Sequence, residues 1–280
     1  MTKSTTPVTE SLKEYARGIT GGLLFSLPML YTMELWWAGF IASPLRLLLY
    51  FLVGIMLLLA YNHYVGIRNS HTLLEGITET VEEMGMGLLL TAVVLWLSGR
   101  ITTTMSFSEI SGKIMVEAVT VAIGISVGKT QLGSSGDEDQ DEEAEKREPH
   151  LQRELGIALC GSILIASNVA PTEEIEVIAL EVSNLKLLLI ALISIILGGI
   201  ILYYSNFKGS KQWVRKPETR SDVIAGTVVM YTIALVSSAF MLWFFSRFNG
   251  LAIHGILAES IVLGFPAALG ASAGRLLIQS

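Results

Sequence analysis

Eight apolar runs of membrane-spanning length constrain this chain more than any other feature. They lie at residues 16–41, 44–64, 76–99, 108–128, 152–172, 183–204, 221–246 and 254–277. A helix needs about 20 apolar residues to cross the ~30 Å hydrocarbon core of a bilayer. With 51% hydrophobic and 16% charged residues, the chain is too apolar for an ordinary soluble domain of its length. The expected fold class is an all-α membrane protein of about eight transmembrane helices. The third and fourth runs are interrupted by Glu79, Glu82, Glu83, Lys113 and Glu117. The fifth is expected to end early at Pro171, because proline disfavours helix in the residue before it.

The runs read as two parallel four-helix repeats. Gly22 stands twelve residues before Glu34, and Gly161 twelve before Glu173, with Pro28 and Pro171 interrupting the two segments. Leu45-Arg46-Leu47-Leu48-Leu49 returns as Leu185-Lys186-Leu187-Leu188-Leu189. Leu95-Trp96 with Arg100 returns as Leu242-Trp243 with Arg247. Ile114-Met115-Val116-Glu117 returns as Ile256-Leu257-Ala258-Glu259, each with a glycine eleven residues after the glutamate (Gly128, Gly270). An even number of helices per copy gives both copies the same orientation in the membrane. The expected organisation is a cytoplasmic N-terminal segment (1–15), a first repeat (16–128), an acidic cytoplasmic linker (129–151) and a second repeat (152–280).

The formal net charge of −6 belongs to one segment. Residues 133–150 hold eight acids against Lys146 and Arg147, and the rest of the chain has seventeen of each sign. No basic stripe points to nucleic acid. Asp137, Asp139, Asp141 and Glu148 take places one, three, five and twelve of an EF-hand spacing, but Glu142 stands where the turn needs glycine. A solvated linker is the expected reading. With eight crossings, flanking lysines and arginines divide fourteen against five, which places both termini in the cytoplasm. The basic loop Lys208–Arg220 then lies near anionic headgroups. Met1–Lys13 lacks the order of a cleaved signal, so the first helix is expected to remain. Cys160 is the single cysteine, which excludes a disulfide framework, and the four histidines form no metal-ligand pair on one helix.

Acids inside apolar sequence carry the functional expectation, since a charge at a helix centre in the bilayer costs about 3 kcal/mol or more. At about 1.5 Å rise per residue, Glu34 lies about 25 Å along from Arg17, Glu117 about 18 Å from Lys129 and Glu259 about 24 Å from Arg275. Glu34, Glu117, Glu173, Glu174 and Glu259 are therefore the candidate cation-binding set, in the outer half of the bilayer. Glu34 precedes Trp36 and Trp37 and also fits an interfacial aromatic belt, and Glu173 and Glu174 also fit an outer loop. Glu79, Glu82 and Glu83 are candidates for an inner pathway; Glu79 and Glu83, four apart, share a helix face. Carboxylate oxygens suit calcium, sodium or potassium, or shared protons. No serine or threonine has a recognisable base beside it, so no enzyme and no cofactor is expected.

Ser26-Leu27-Pro28 through Glu34-Leu35-Trp36-Trp37, together with Ala170-Pro171-Thr172-Glu173-Glu174, resembles a family of uncharacterised prokaryotic multi-pass integral membrane proteins. The resemblance spans most of the chain and implies a multi-pass protein of the prokaryotic inner membrane, with no activity attached. The expected function is a cation channel or transporter using intramembrane glutamates, assembled as a homo-oligomer. The alternative is a non-transporting scaffold or sensor that recruits partners through its acidic and basic loops.

Overall fold

The structure is a computed structural model that describes residues 8–65, 73–131, 151–204 and 220–278. The acidic segment 133–150 and most of the basic loop Lys208–Arg220 lie outside the described residues. Among the described residues the chain is helical, with no strand. The helices are α1 (Val8–Leu30), α2 (Met33–Ile41), α3 (Pro44–Val65), α4 (Leu73–Leu97), α5 (Phe107–Gln131), α6 (Leu151–Val169), α7 (Glu174–Glu181), α8 (Asn184–Tyr204), α9 (Arg220–Phe244) and α10 (Ile253–Ile278).

Local chemistry explains several boundaries. Pro44 opens α3 at the first helical position, where its missing N–H costs nothing, and Ser43 Oγ accepts from the Arg46 N–H at 3.4 Å. α5 begins with a capping box: Glu109 Oε2 accepts from the Ser106 N–H at 2.8 Å, and Ser106 Oγ accepts from the Glu109 N–H at 3.3 Å. That pair sets the start at Phe107. α4 and α9 end alike. Gly99 (φ 70°) and Ser246 (φ 63°) take the left-handed conformation, and the Arg100 and Arg247 N–H groups reach back to the Leu95 and Leu242 carbonyls.

The run expected at 16–41 is two helices, not one. Pro28 removes a rung of the α1 ladder, and the Thr32 hydroxyl and N–H donate to the Pro28 and Met29 carbonyls, closing a turn at Tyr31–Thr32. The run expected at 152–172 stops at Val169, as Pro171 foretold, and the chain then bends by 89° into α7. α7 falls where an outer loop was an open reading. It has only two turns and buries Ile175 and Ala179.

Six helices, α3, α4, α5, α8, α9 and α10, are long and apolar enough to cross a membrane, and α6 with α7 makes a seventh if the bent pair is one span. Eight crossings were expected. α1 falls short because Glu10, Lys13, Glu14 and Arg17 occupy its first turns, leaving Gly18–Leu30, about 20 Å of helix.

α5 is the helix around which α1, α2, α3, α4 and α6 pack, and Val116–Lys129 is buried without a break. Small residues permit this closeness. A Cβ on Gly21 of α1 would stand 2.7 Å from the Gly124 carbonyl and 3.0 Å from the Gly128 nitrogen. Gly39 of α2 lies against Gly112, Gly54 of α3 against Val119, and Gly87 of α4 against Ala118 and Ala122. Glycine contacts of this kind replace the hydrophobic drive that lipid does not supply. α10 gathers α6, α7, α8 and α9 in the same manner, with Gly270 against the Gly161 carbonyl. The two groups meet where Tyr50 stacks on Phe244 (4.1 Å), Arg46 lies 5.5 Å from the Trp243 ring and donates to Ser246 Oγ, and Asn168 Nδ2 donates to the Phe25 carbonyl.

Gly21→Ala is expected to destabilise the protein by about 1–3 kcal/mol, because backbone rather than a pliable side chain blocks the added methyl. Gly85→Ala, whose Cβ would meet nothing within 4 Å, is expected to raise stability by about 0.5–1 kcal/mol. Unfolding of the two variants in one detergent tests the contrast.

Candidate functional site

α5 and α10, the two packing centres, each hold one buried carboxylate. Glu117 is 0% exposed, and neither of its oxygens has a hydrogen-bond partner among the described residues. Glu259 is 2% exposed with Oε2 unpartnered. Buried polar groups in native proteins are nearly always hydrogen-bonded, so both exceptions need a cause. The glycine contacts fix their levels. α1 runs antiparallel to α5 with Gly21 and Gly22 against Gly124, Gly128 and Val121, which carries Glu117 opposite the last two turns of α1, around Pro28. Ser26 Oγ, in those turns, is also buried and unpartnered. Gly270 against Gly161 likewise carries Glu259 opposite the α6–α7 bend, and Glu259 lies within electrostatic reach of Glu176 and Arg247.

An arginine holds each short helix beside these acids. The Arg100 guanidinium lies 4.2 Å from the Trp36 ring centre, and Trp36 Nε1 donates to the Leu30 carbonyl at the end of α1 (3.1 Å). Arg247 pairs with Glu176 (3.6 Å) and donates to the Pro171 carbonyl at the end of α6. The left-handed turns at Gly99 and Ser246 aim both arginines. For serine that conformation is strained, at about 1–2 kcal/mol, and the Arg46 hydrogen bond to its hydroxyl helps hold it.

At the opposite end of α5, charge is treated differently. Lys129 is 5% exposed, and its Nζ lies 3.7 Å from Glu82, 3.7 Å from Glu83 and 3.9 Å from Glu14 carboxylate oxygens, and 5.8 Å from the Tyr15 ring. These distances exceed the 2.7–2.9 Å of a charge-assisted hydrogen bond, so the ammonium sits among three acids as a shared counter-ion. Glu83 Oε2 also accepts from Asn62 Nδ2 (2.8 Å), and Asn62 Oδ1 accepts from Ser126 Oγ (2.8 Å). The network ties α1, α3, α4 and α5 together.

The structure therefore places Glu117 and Glu259 inside the protein, Glu34 half-buried in the first turn of α2, and Glu173 and Glu174 exposed at the start of α7. Glu82 and Glu83 gather at Lys129, with Glu79 within electrostatic reach of Glu83. No group of three or more His, Cys, Asp or Glu among the described residues is arranged to hold a metal ion. Lys129, counted among the basic flanks in the sequence, is itself buried under Glu14, Glu82 and Glu83, whose charges make its burial tolerable. Asn62, Glu176 and the clamping roles of Arg100 and Arg247 had no clear sequence signal beyond the repeated Leu-Trp…Arg pattern.

A family model described as "Putative integral membrane protein (DUF2391)" matches residues 14–278, nearly the whole chain. No curated protein and no solved structure is matched by the chain.

Lys129→Met leaves Glu83 buried beside an apolar side chain and is expected to cost about 3–5 kcal/mol. The double variant Lys129→Met/Glu83→Gln is expected to recover much of that loss. A double-mutant cycle on unfolding in mixed micelles measures the coupling.

Proposed function

This chain belongs to that family of integral membrane proteins, and on that premise we propose that it moves a cation across the membrane, as a channel or an exchanger, with Glu117 and Glu259 as its ion-binding carboxylates. One observation carries the reading: each packing centre encloses a carboxylate with an unpartnered oxygen. An ionisable group inside a membrane bundle is expensive to keep and marks an ion or proton route when present. Glu34, Glu173 and Glu174 supply the approach to these sites, and Glu79, Glu82 and Glu83 the route at the Lys129 end. The candidate cargo is a proton, sodium, potassium or calcium.

The same reading takes the chain as two copies of one bundle crossing the membrane eight times, with α1 and α6 counted as crossings. Helix lengths of 23, 9, 22, 25 and 25 residues in α1–α5 are followed by 19, 8, 21, 25 and 26 in α6–α10, which supports it. So do the paired bends, the matched left-handed caps and the matched buried acids. Parallel copies meeting about an axis along the membrane normal put ion sites between them. Both termini then lie in the cytoplasm, in the inner membrane of a prokaryotic cell, and the protein works as a homo-oligomer.

Two experiments test this. Proteoliposomes given a panel of cation gradients across a range of pH are expected to show flux, which Glu117→Gln or Glu259→Gln reduces about tenfold or more; no flux for any cation would remove the transport reading. Cys160 is buried, which keeps thiol labelling specific to introduced sites. Cysteines at Thr104 and Asn249 are expected to react with an impermeant reagent added outside cells, and one at Thr5 only after lysis.

A further inference from the structure

Glu117 and Glu259 occupy matching places but have different surroundings, and the difference identifies the ligand of one. α1 brings the Ser26 hydroxyl, a single neutral oxygen, level with Glu117, and α5 itself surrounds the acid with apolar residues. Val116, Ala118, Val119 and Val121 are buried apolar neighbours, and the Thr120 hydroxyl is shared with Tyr50 and Ser167. Calcium takes six to eight oxygen ligands and magnesium about six, mostly anchored by several carboxylates, and among the described residues no group of three or more His, Cys, Asp or Glu gathers to hold an ion. A proton needs one oxygen. Taken from a hydronium ion, whose O–H bond breaks to leave water, it forms one O–H bond on the carboxyl and leaves the group neutral, which removes the penalty for enclosing a charge without a partner.

Lys113 stands one helical turn before Glu117 on the same face of α5. Its ammonium donates to the Arg100 carbonyl (3.2 Å) and meets Met105 Sδ (3.6 Å), so it is held under the loop that joins α4 to α5, within electrostatic reach of Glu117. The other charged groups on the packed elements are occupied elsewhere or sit at element ends. Glu14, Glu82 and Glu83 surround Lys129 with Glu79 near them, Arg46 meets Ser246 and Trp243, Arg17 lies in the opposite turns of α1, and Glu34 is in the first turn of α2. From Leu155 to Val169, α6 carries no charged residue, and the Tyr50 hydroxyl points at Thr120. A fixed positive charge on the path repels metal cations as a lysine or arginine does in a pore. Gly255 takes the place of Lys113 one turn before Glu259, whose electrostatic neighbours are Glu176 and Arg247.

We propose that Glu117 takes a proton as its ligand and that Lys113 keeps other cations from it. This deepens the transport reading and rests on it only for the use to which the proton is put. Infrared difference spectra of the purified protein in lipid, recorded across pH without any ion gradient, test it directly. The wild type is expected to show at neutral pH the carbonyl stretch of a protonated carboxylic acid, shifting in D₂O. Glu117→Gln is expected to lose that band, Glu117→Asp to keep it at a displaced frequency, and Glu259→Gln to keep it in place. Sodium is expected to leave the wild-type band unchanged and to diminish it in Lys113→Ala. Absence of the band from the wild type, its survival in Glu117→Gln, or an equal response to sodium in wild type and Lys113→Ala would overturn the proposal. Flux without the band would end this inference alone, and the band without flux would end the transport reading alone.

Discussion

Helix α5 is enclosed because glycine lets its neighbours approach to backbone distance, and what is inside the bundle follows from that closeness. Where α1 lies against α5 at Gly21 and Gly128, not even a methyl group fits. Where the backbones touch, no water fits between them, so a polar group at that contact depends on what the adjoining helix provides. In lipid, where the apolar effect does not drive helices together, such contacts are also what holds the bundle. The same closeness therefore gives stability and decides the state of the buried acids.

Two treatments of buried charge result. At Lys129 the protein compensates: one ammonium faces three carboxylates, and amide and hydroxyl groups satisfy Glu83 further. Removing Lys129 leaves Glu83 with the penalty of a buried charge lacking its counter-ion. At Glu117 and Glu259 it compensates little, with carboxylate oxygens lacking hydrogen-bond partners. A protein that can build the first arrangement within one helix of the second has the means to satisfy a carboxylate. Two with unpartnered oxygens, each level with a helix break and beside an arginine-held short helix, are the observation on which the transport proposal rests.

Much of this was legible in the chain. Apolar runs located the long helices to within a few residues, since hydropathy is what lipid selects. Glu117 and Glu259 were legible as buried because each lies well inside a long, mostly apolar run. Pro28 and Pro171 marked the breaks, although the direction of the bend depends on Thr32 and on the packing of Ile175 and Ala179, which only the fold supplies. The start of α5 was written in Ser106 and Glu109 as a capping pair, a signal that hydropathy passes over. The burial of Lys129 was not legible. A lysine at the end of an apolar run reads as a surface flank, and only the approach of α1 and α4, bringing Glu14, Glu82 and Glu83, makes it an interior residue. Glu34, Glu173 and Glu174 illustrate the reverse. Their helical register resembled that of the buried acids, but each sits in the first turn of a short helix or at its edge, where carboxylates favour the N-terminal dipole and burial is not enforced.

A hydrophobic carbodiimide reacts with carboxyl groups that are protonated in apolar surroundings, so peptide mapping of the labelled protein, alongside flux measured on the same sample, addresses the central claim most directly. The account predicts an adduct at Glu117, sparing Glu83 with its lysine partner, and loss of flux in proportion to labelling. Adducts confined to exposed acids such as Glu173 and Glu174, with Glu117 unmodified and flux unaffected, would contradict it.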